Sequence, residues 1–328
     1  MATRSKTIER AKDVAEQGRK IQARIDDIDA ASSTAKKSEG AMQVGQRTYP
    51  ETLDETHLEK PGLEKDLETA PMYEAPKYQG SAKLKDMVAL ITGGDSGIGR
   101  AVAVLFAREG AHVAISYLEE TEDARDTKAA VEAEGRKCLL LPGDVSDPSQ
   151  CKDAVQKTVE TFGSLDILVN NAAFQEHADS ITDITDEHFD RTIKTNLYGY
   201  FYLARAAVPH MKPGSSIIMT GSVIGFQGSK ELLDYSMTKG GIHAFARSLS
   251  ASLLPKGIRV NAVAPGPVWT PLNPADRPAK AVTKFGSGTP MKRAAQPEEI
   301  APAYVFLAAP TCASYITGEL LPIIGGYD

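Results

Sequence analysis

The chain is poor in the features that mark specialised classes. Its 328 residues hold three cysteines, Cys138, Cys151 and Cys312, widely separated and without metal-ligand spacing. A disulfide framework or zinc site is therefore not expected, and the three read as small buried hydrophobes of a reducing compartment. No apolar run approaches the roughly 20 residues that span a bilayer. The N-terminus lacks the apolar region of a signal peptide, and Glu9, Asp13 and Glu16 argue against an acid-poor transit peptide. A cytoplasmic protein is expected. Positive charge is not in excess either: 37 Lys and Arg face 43 Asp and Glu, a net −6. Such a balance gives no general attraction to nucleic acid or anionic lipid. What remains, 42% hydrophobic and 24% charged residues, is the composition of a globular protein and excludes collagen-like or wholly disordered readings.

The charge is unevenly placed. Residues 1–85 carry 15 basic and 15 acidic residues, so the whole −6 belongs to residues 86–328, with 22 and 28. Val14, Ile21, Ile25 and Ile28 recur at helical spacing and suggest a short amphipathic helix or a frayed arm. Pro50, Pro61, Pro71 and Pro76 then mark 41–85 as an extended connector on a surface. Residues 1–85 are thus read as an extension and 86–328 as the main folded domain. From Met87 onward, short apolar runs alternate with helical patterns. The runs are 88–91, 112–116, 138–141, 165–169, 216–219, 258–263 and 319–323. Strands that are continuously apolar, each separated by a helix, predict an α/β fold: a doubly wound parallel sheet covered on both faces.

The first strand ends in Thr92-Gly93-Gly94-Asp95-Ser96-Gly97-Ile98-Gly99-Arg100. With a strand before it and a helix after it, this is a dinucleotide-binding turn. Gly93 allows the bend, Gly97 the approach of a pyrophosphate, and Gly99 close helix–strand packing. The second strand ends in Ser116-Tyr117, with Glu119 two residues on, where many such sites carry a ribose-binding acid. Without an acid at that place nothing repels a 2′-phosphate; equally, no Arg or Lys is plainly set to bind one, Arg100 being the one candidate in the neighbourhood. NADP, or both NADP and NAD, is the cofactor expected.

Tyr235 and Lys239 are four residues apart and share a helical face. Reducing a carbonyl requires a proton at the developing alkoxide, and a phenol beside an ammonium can supply it. Ser222 follows the strand at 216–219 and can donate to a substrate oxygen. Asn196 lies inside a helical pattern, where it has no capping value, which suggests a functional or water-holding role. Asn170-Asn171-Ala172-Ala173 closes a buried strand, where ligands of such sheets collect.

Through these residues, with Gly143-Asp144-Val145 and Pro265-Gly266-Pro267-Val268-Trp269-Thr270, the chain from about Leu84 resembles the short-chain dehydrogenase/reductase family. Thr289-Pro290-Met291-Lys292-Arg293, Gln296-Pro297 and the Pro-rich lead-in point within it to the stress-type aldehyde reductases and the glucose/ribitol dehydrogenase-like group. The resemblance implies that Tyr235 is the general acid/base and that Lys239 holds the nicotinamide ribose and depresses the Tyr235 pKa. Ser222 would orient the substrate oxygen and Asn196 hold a relay water. It implies a cofactor set of Gly93, Asp95, Ser96, Gly97, Ile98, Gly99, Tyr117, Asp144, Val145, Asn171, Ala172, Ala173, Tyr235, Lys239, Pro265, Gly266, Val268 and Thr270. Ala173 departs from the family, which usually has Gly there. A homotetramer built through the Tyr–Lys helix and the last strand is also implied, as is a carbonyl, alcohol or sugar substrate.

Two segments are left for substrate choice: 173–177 and the lid Leu272–Thr289, with Asn273, Pro274, Asp276, Arg277, Pro278 and Phe285. His177 is read as a solvated loop histidine, and Trp269 as packing or as a pocket wall. The alternative to an enzyme is a cofactor-binding sensor or scaffold without turnover. Retention of Asn196, Ser222, Tyr235 and Lys239 together favours the enzyme.

Overall fold

Alternation along each strand sends neighbouring residues to opposite faces, and here both faces are apolar. In β1 (Val88–Thr92), Ala89 and Ile91 enter one core while Leu90 enters the other. In β4 (Ile167–Asn170), Ile167 and Val169 are parted from Leu168 in the same way. The sheet must therefore be covered on both sides. The computed structural model, which describes residues 40–45 and 47–326, shows that it is. The helix expected around Val14–Ile28 lies outside the described residues.

The remaining strands are β2 (His112–Tyr117), β3 (Cys138–Pro142), β5 (Ser216–Thr220), β6 (Arg259–Pro265) and β7 (Leu320–Ile323). They form one seven-stranded sheet of order β3-β2-β1-β4-β5-β6-β7, with every pairing parallel. Pro142 and Pro322 fall on the two edge strands, where a missing N–H costs no ladder bond. Helices α1 (Gly97–Arg108), α2 (Thr121–Ala133), α3 (Pro148–Phe162), α4 (Asp186–Ile193), α5 (Gly199–Ala207), α6 (Leu233–Leu253) and α7 (Pro297–Ala308) supply the cover. Phe106 of α1 and Tyr304 of α7 fill one face; Tyr200 of α5 and Ile242 of α6 fill the other. Among the described residues, no helix is long and apolar enough to cross a membrane.

The segment before β1 is more than a surface connector, because the compact unit begins at Ala41. Leu53, Leu58 and Leu67 are buried in a third cluster with Trp269, Ala275 and Val282. Trp269 is thus a packing residue, and its indole N–H donates to the Thr69 carbonyl at 2.7 Å. Cys138 and Cys151 are buried as expected, whereas Cys312, on a short turn after α7, is exposed.

Glu109, at the end of α1, knots this segment to the sheet. Its carboxylate accepts from the Tyr78 hydroxyl at 2.5 Å, the Ser81 and Lys83 amides at 2.9 Å, and Lys83 Nζ at 3.0 Å. Burial alone would raise its pKa, but these donors outweigh it and hold the carboxyl at about 2. A depressed carboxyl stabilises the fold above its unfolded pKa, and that stabilisation is lost as pH falls toward 2. Glu109→Gln is expected to cost on the order of 2–3 kcal/mol at neutral pH. The loss should shrink steadily on acidification in urea titrations.

Candidate active site

In an open parallel sheet, ligands bind beyond the carboxyl ends of the strands where the strand order reverses. That point lies here between β1 and β4, and a cleft opens there. Its floor is the turn from β1 into α1. Gly93 and Gly97 have φ of +58° and +50°, the left-handed region that favours glycine. A Cβ on Gly97 would stand 2.8 Å from Thr270 Cγ2, and one on Gly99 only 1.9 Å from the Gly93 carbonyl oxygen. The helix start can lie against the strand end only without those side chains. Gly99→Ala should therefore lower Tm by several degrees and weaken dinucleotide binding about tenfold or more, checked by thermal melts and titration calorimetry.

The start of α1 is capped from a distance. Its N-cap, Ser96, makes no side-chain cap bond. Instead the Gly97 amide donates to Glu64 Oε2 at 2.6 Å, an acid supplied by the segment before β1. Glu64 Oε1 accepts from Arg100 Nη1 at 2.6 Å, and burial holds the Glu64 carboxyl above the usual range against the pull of Arg100. Arg100 is itself buried, its other donors taken by the Asp95 and Asp123 carbonyls and the Thr127 hydroxyl. It is therefore a structural cation and not a free partner for a 2′-phosphate. Two nearly buried carboxyls, Asp95 and Glu120, also line the cleft. Burial first, then the charge of Glu120, pushes the Asp95 carboxyl upward.

The Tyr–Lys pair lies on α6. Tyr235, Lys239 and His243 fall on one buried face of that helix, with Lys239 Nζ 5.2 Å from the Tyr235 ring centre. Lys239 Nζ donates to the Thr220 carbonyl at the end of β5, at 2.7 Å. With no acid beside it, burial pulls its ammonium down to about 7. Burial, then the charges of Asp276 and Tyr304, push the Tyr235 phenol above its ordinary value, so the depression by Lys239 that the resemblance implies does not prevail in this arrangement. Ser222 sits just past β5 and is partly buried. Its main-chain N–H donates to His243 Nε2 at 3.4 Å, and burial lowers the His243 pKa to about 4, with Lys239 and Arg247 adding to the effect. A Cβ at Gly221 would meet that ring nitrogen at 2.4 Å, so glycine clears the space for it.

Asn196 lies in a π-helical turn, Lys194–Tyr198, between α4 and α5. Such turns interrupt the regular ladder and cluster at functional sites. Its side chain is fully engaged: Oδ1 accepts from the Phe174 amide at 2.8 Å, and Nδ2 donates to the Phe174 carbonyl and Thr238 Oγ1. The side chain thus holds the loop after β4, and a relay water would fall to its main chain. Asn171 similarly ties strand ends together, donating to the Thr92 and Gly93 carbonyls at 3.1 Å.

Of the expected residues, Gly93, Asp95, Ser96, Gly97, Ile98, Tyr117, Asp144, Val145, Asn171, Ala172, Ala173, Tyr235, Lys239 and Thr270 line the cleft. Gly99, Asn196, Ser222, Pro265, Gly266 and Val268 do not; they stand behind or beside it. Phe174 and Leu272, from the two segments left for substrate choice, line it as well, and so do Pro61, Gly62, Glu120, Arg191 and Thr195, which the sequence does not point to. Arg191 pairs with Asp144 at 2.8 Å. Pro61 and Gly62 carry no local signal, because their partners lie far along the chain. The cleft fits a dinucleotide by its glycine cradle and by Thr195 Oγ1, which is buried without a partner among the described residues. His177 is not a solvated loop residue: its ring is 17% exposed and bonded to the buried Asp276 at 2.5 Å.

A Rossmann-type sheet with this crevice and this Tyr–Lys helix is the architecture of a dinucleotide-dependent oxidoreductase. The chain belongs to the short-chain dehydrogenase/reductase family. A family model described as enoyl-(acyl carrier protein) reductase matches residues 93–328. The chain is 52% identical over 279 residues to general stress protein 39 of Bacillus subtilis (strain 168), covering 85% of this chain and 97% of that protein. It is 48% identical over 273 residues to the NADPH-dependent aldehyde reductase 1, chloroplastic, of Arabidopsis thaliana, covering 81% and 95%. The crystal structure of a short chain dehydrogenase from Burkholderia cenocepacia J2315 in complex with NADP superposes with a TM-score of 0.69 at 34% identity. It covers 74% of this chain and 98% of that one. The matches to the two sequence relatives are longer than the stretch from residue 86 onward, so they reach into the segment before β1.

Proposed function

We propose that this protein is an NAD(P)-dependent reductase/dehydrogenase that interconverts a small carbonyl compound, an aldehyde, ketone or sugar, with its alcohol. The observation that carries this is the buried Tyr235–Lys239 pair at the inner end of a glycine-cradled dinucleotide cleft. The NADP-bound structural neighbour and the NADPH-dependent relative support NADP as the favoured cofactor, with NAD also accepted. When bound, the nicotinamide supplies the hydride. The chain's own residues handle the oxygen. Tyr235 Oη donates a proton to the carbonyl oxygen as charge develops there, and Ser222 Oγ holds that oxygen in line. Lys239, charged, stabilises the phenolate left behind and, through a water held at Asn196, is the route by which Tyr235 regains its proton. The glycine turn, Asp95, Tyr117, Asp144, Val145, Asn171, Ala172 and Ala173 would hold the adenosine half, and Pro265, Gly266, Val268 and Thr270 the nicotinamide half. We further infer a single catalytic unit from residue 41 onward and a homotetramer through α6 and β7.

The decisive experiment is turnover of a panel of aldehydes, ketones and sugars with NADPH and with NADH. Tyr235→Phe is expected to lower kcat by about 10²–10⁴ while leaving cofactor binding within about twofold, and Ser222→Ala by about 10²–10³. Unchanged turnover in Tyr235→Phe would remove it from the chemistry, and binding without turnover across the panel would favour a sensor. Light scattering should return a mass near four times 35.1 kDa.

A further inference from the structure

The lid between β6 and α7 is held from both sides. On the inner side stands Asp276, with no exposed side-chain surface. Its carboxylate accepts from Gln175 Nε2 and from the His177 amide, each at 2.7 Å, and from His177 Nδ1 at 2.5 Å. These donors belong to the loop after β4 that Asn196 also holds. On the outer side runs the segment before β1. The Leu58 amide donates to the Pro274 carbonyl at 3.0 Å, and His57 Nδ1 to the Arg277 carbonyl at 3.1 Å. Gly62 lies so close that a Cβ there would meet the Pro271 carbonyl at 3.0 Å and Ala275 Cβ at 3.1 Å. Lys60 joins the two sides. Its Nζ donates to the Gln175 carbonyl at 2.9 Å, pairs with Glu176 at 2.9 Å and stands 4.0 Å from Asp276 Oδ1.

We propose that residues 57–69 are a strap belonging to the active site, which pins the lid over Tyr235, with Asp276 as the catch and Lys60 as the tie between strap, lid and loop. The proposal rests on reading Tyr235 as the proton donor. Two further observations support it. The same strap delivers Glu64 to the start of α1, so one segment spans the cofactor turn and the lid. Asp276 also lies near enough to Tyr235 for its charge to act on the phenol, second only to burial. The other titratable groups that act on Tyr235 or lie beside it are Tyr304, Tyr200 and the Lys239 cation; those facing Asp276 are His177, Lys60 and Arg277. Asp276 and Lys60 are positioning residues, acting on the reaction through the lid and, for Asp276, through its field.

Hydrogen exchange of the full chain, read by mass spectrometry, tests this directly. In Lys60→Ala and Asp276→Asn, amides of 271–285 should exchange about tenfold faster or more while the central strands stay protected. KM for the carbonyl substrate should rise more than kcat falls, and Lys60→Arg should restore protection. Removing the negative charge should also move the Tyr235 limb of the kcat/KM–pH profile to lower pH in Asp276→Asn. Lid exchange unchanged in both variants would overturn the proposal, as would an Asp276→Asn limb that stays or moves upward. Should Asp276→Asn fail to fold, Lys60→Ala decides alone, because Lys60 is partly exposed. Tyr235→Phe should keep the lid protected; if it stayed active, the reading of Tyr235 would fail while the exchange result stood.

Discussion

The approach of α1 to the end of β1 is the contact on which the site depends. With the Gly99 Cβ position only 1.9 Å from the Gly93 carbonyl, no side chain larger than hydrogen fits. That closeness sets the helix start at the topological switch point, where first-turn amides lack partners within the helix. A cofactor phosphate and a protein acid can both use such amides. Here the acid is Glu64, taken from before the sheet, and its presence turns Arg100 inward. The crevice is therefore shaped by the extension as well as by the sheet.

Buried charge is the second theme. Lys239 has no acid beside it, and burial pulls its ammonium down to about 7. Asp276 is buried too, but fully bonded to the loop after β4, so its charge is spent on holding the lid. Glu64 and Arg100 neutralise one another beneath the phosphate turn. Each of these charges would be costly alone, and each is placed where the fold needs orientation more than net stability.

Much of this was legible in the chain. Both cores follow from strands that are apolar at every position, as in Val88–Ile91, and the turn from the glycines that end the first of them. Tyr235 and Lys239 were recoverable because a helix of 3.6 residues per turn aligns residues four apart. His243, four further on, shares that face by the same spacing. Asn196 stands out within a helical pattern, but nothing local in the sequence encodes its π-turn or its grip on Phe174. Glu64, Lys60 and Asp276 were invisible as a set, since their partners lie 33, 115 and 99 or more residues away. The packing of the extension is hidden in the sequence for a related reason. Its prolines do read as a connector, and only the buried Leu53, Leu58 and Leu67 show that it is packed.

The sequence by itself determined the parallel sheet, the glycine turn at its switch point and the placing of Tyr235 and Lys239 on one helical face, because each follows from a period or spacing of a few residues. The tertiary structure alone decided that Arg100 is structural, that His177 is held, and that the segment before β1 walls the active site. Those outcomes turn on pairings between residues remote in the chain, and the burial that gives such pairings their strength exists only once the chain has folded.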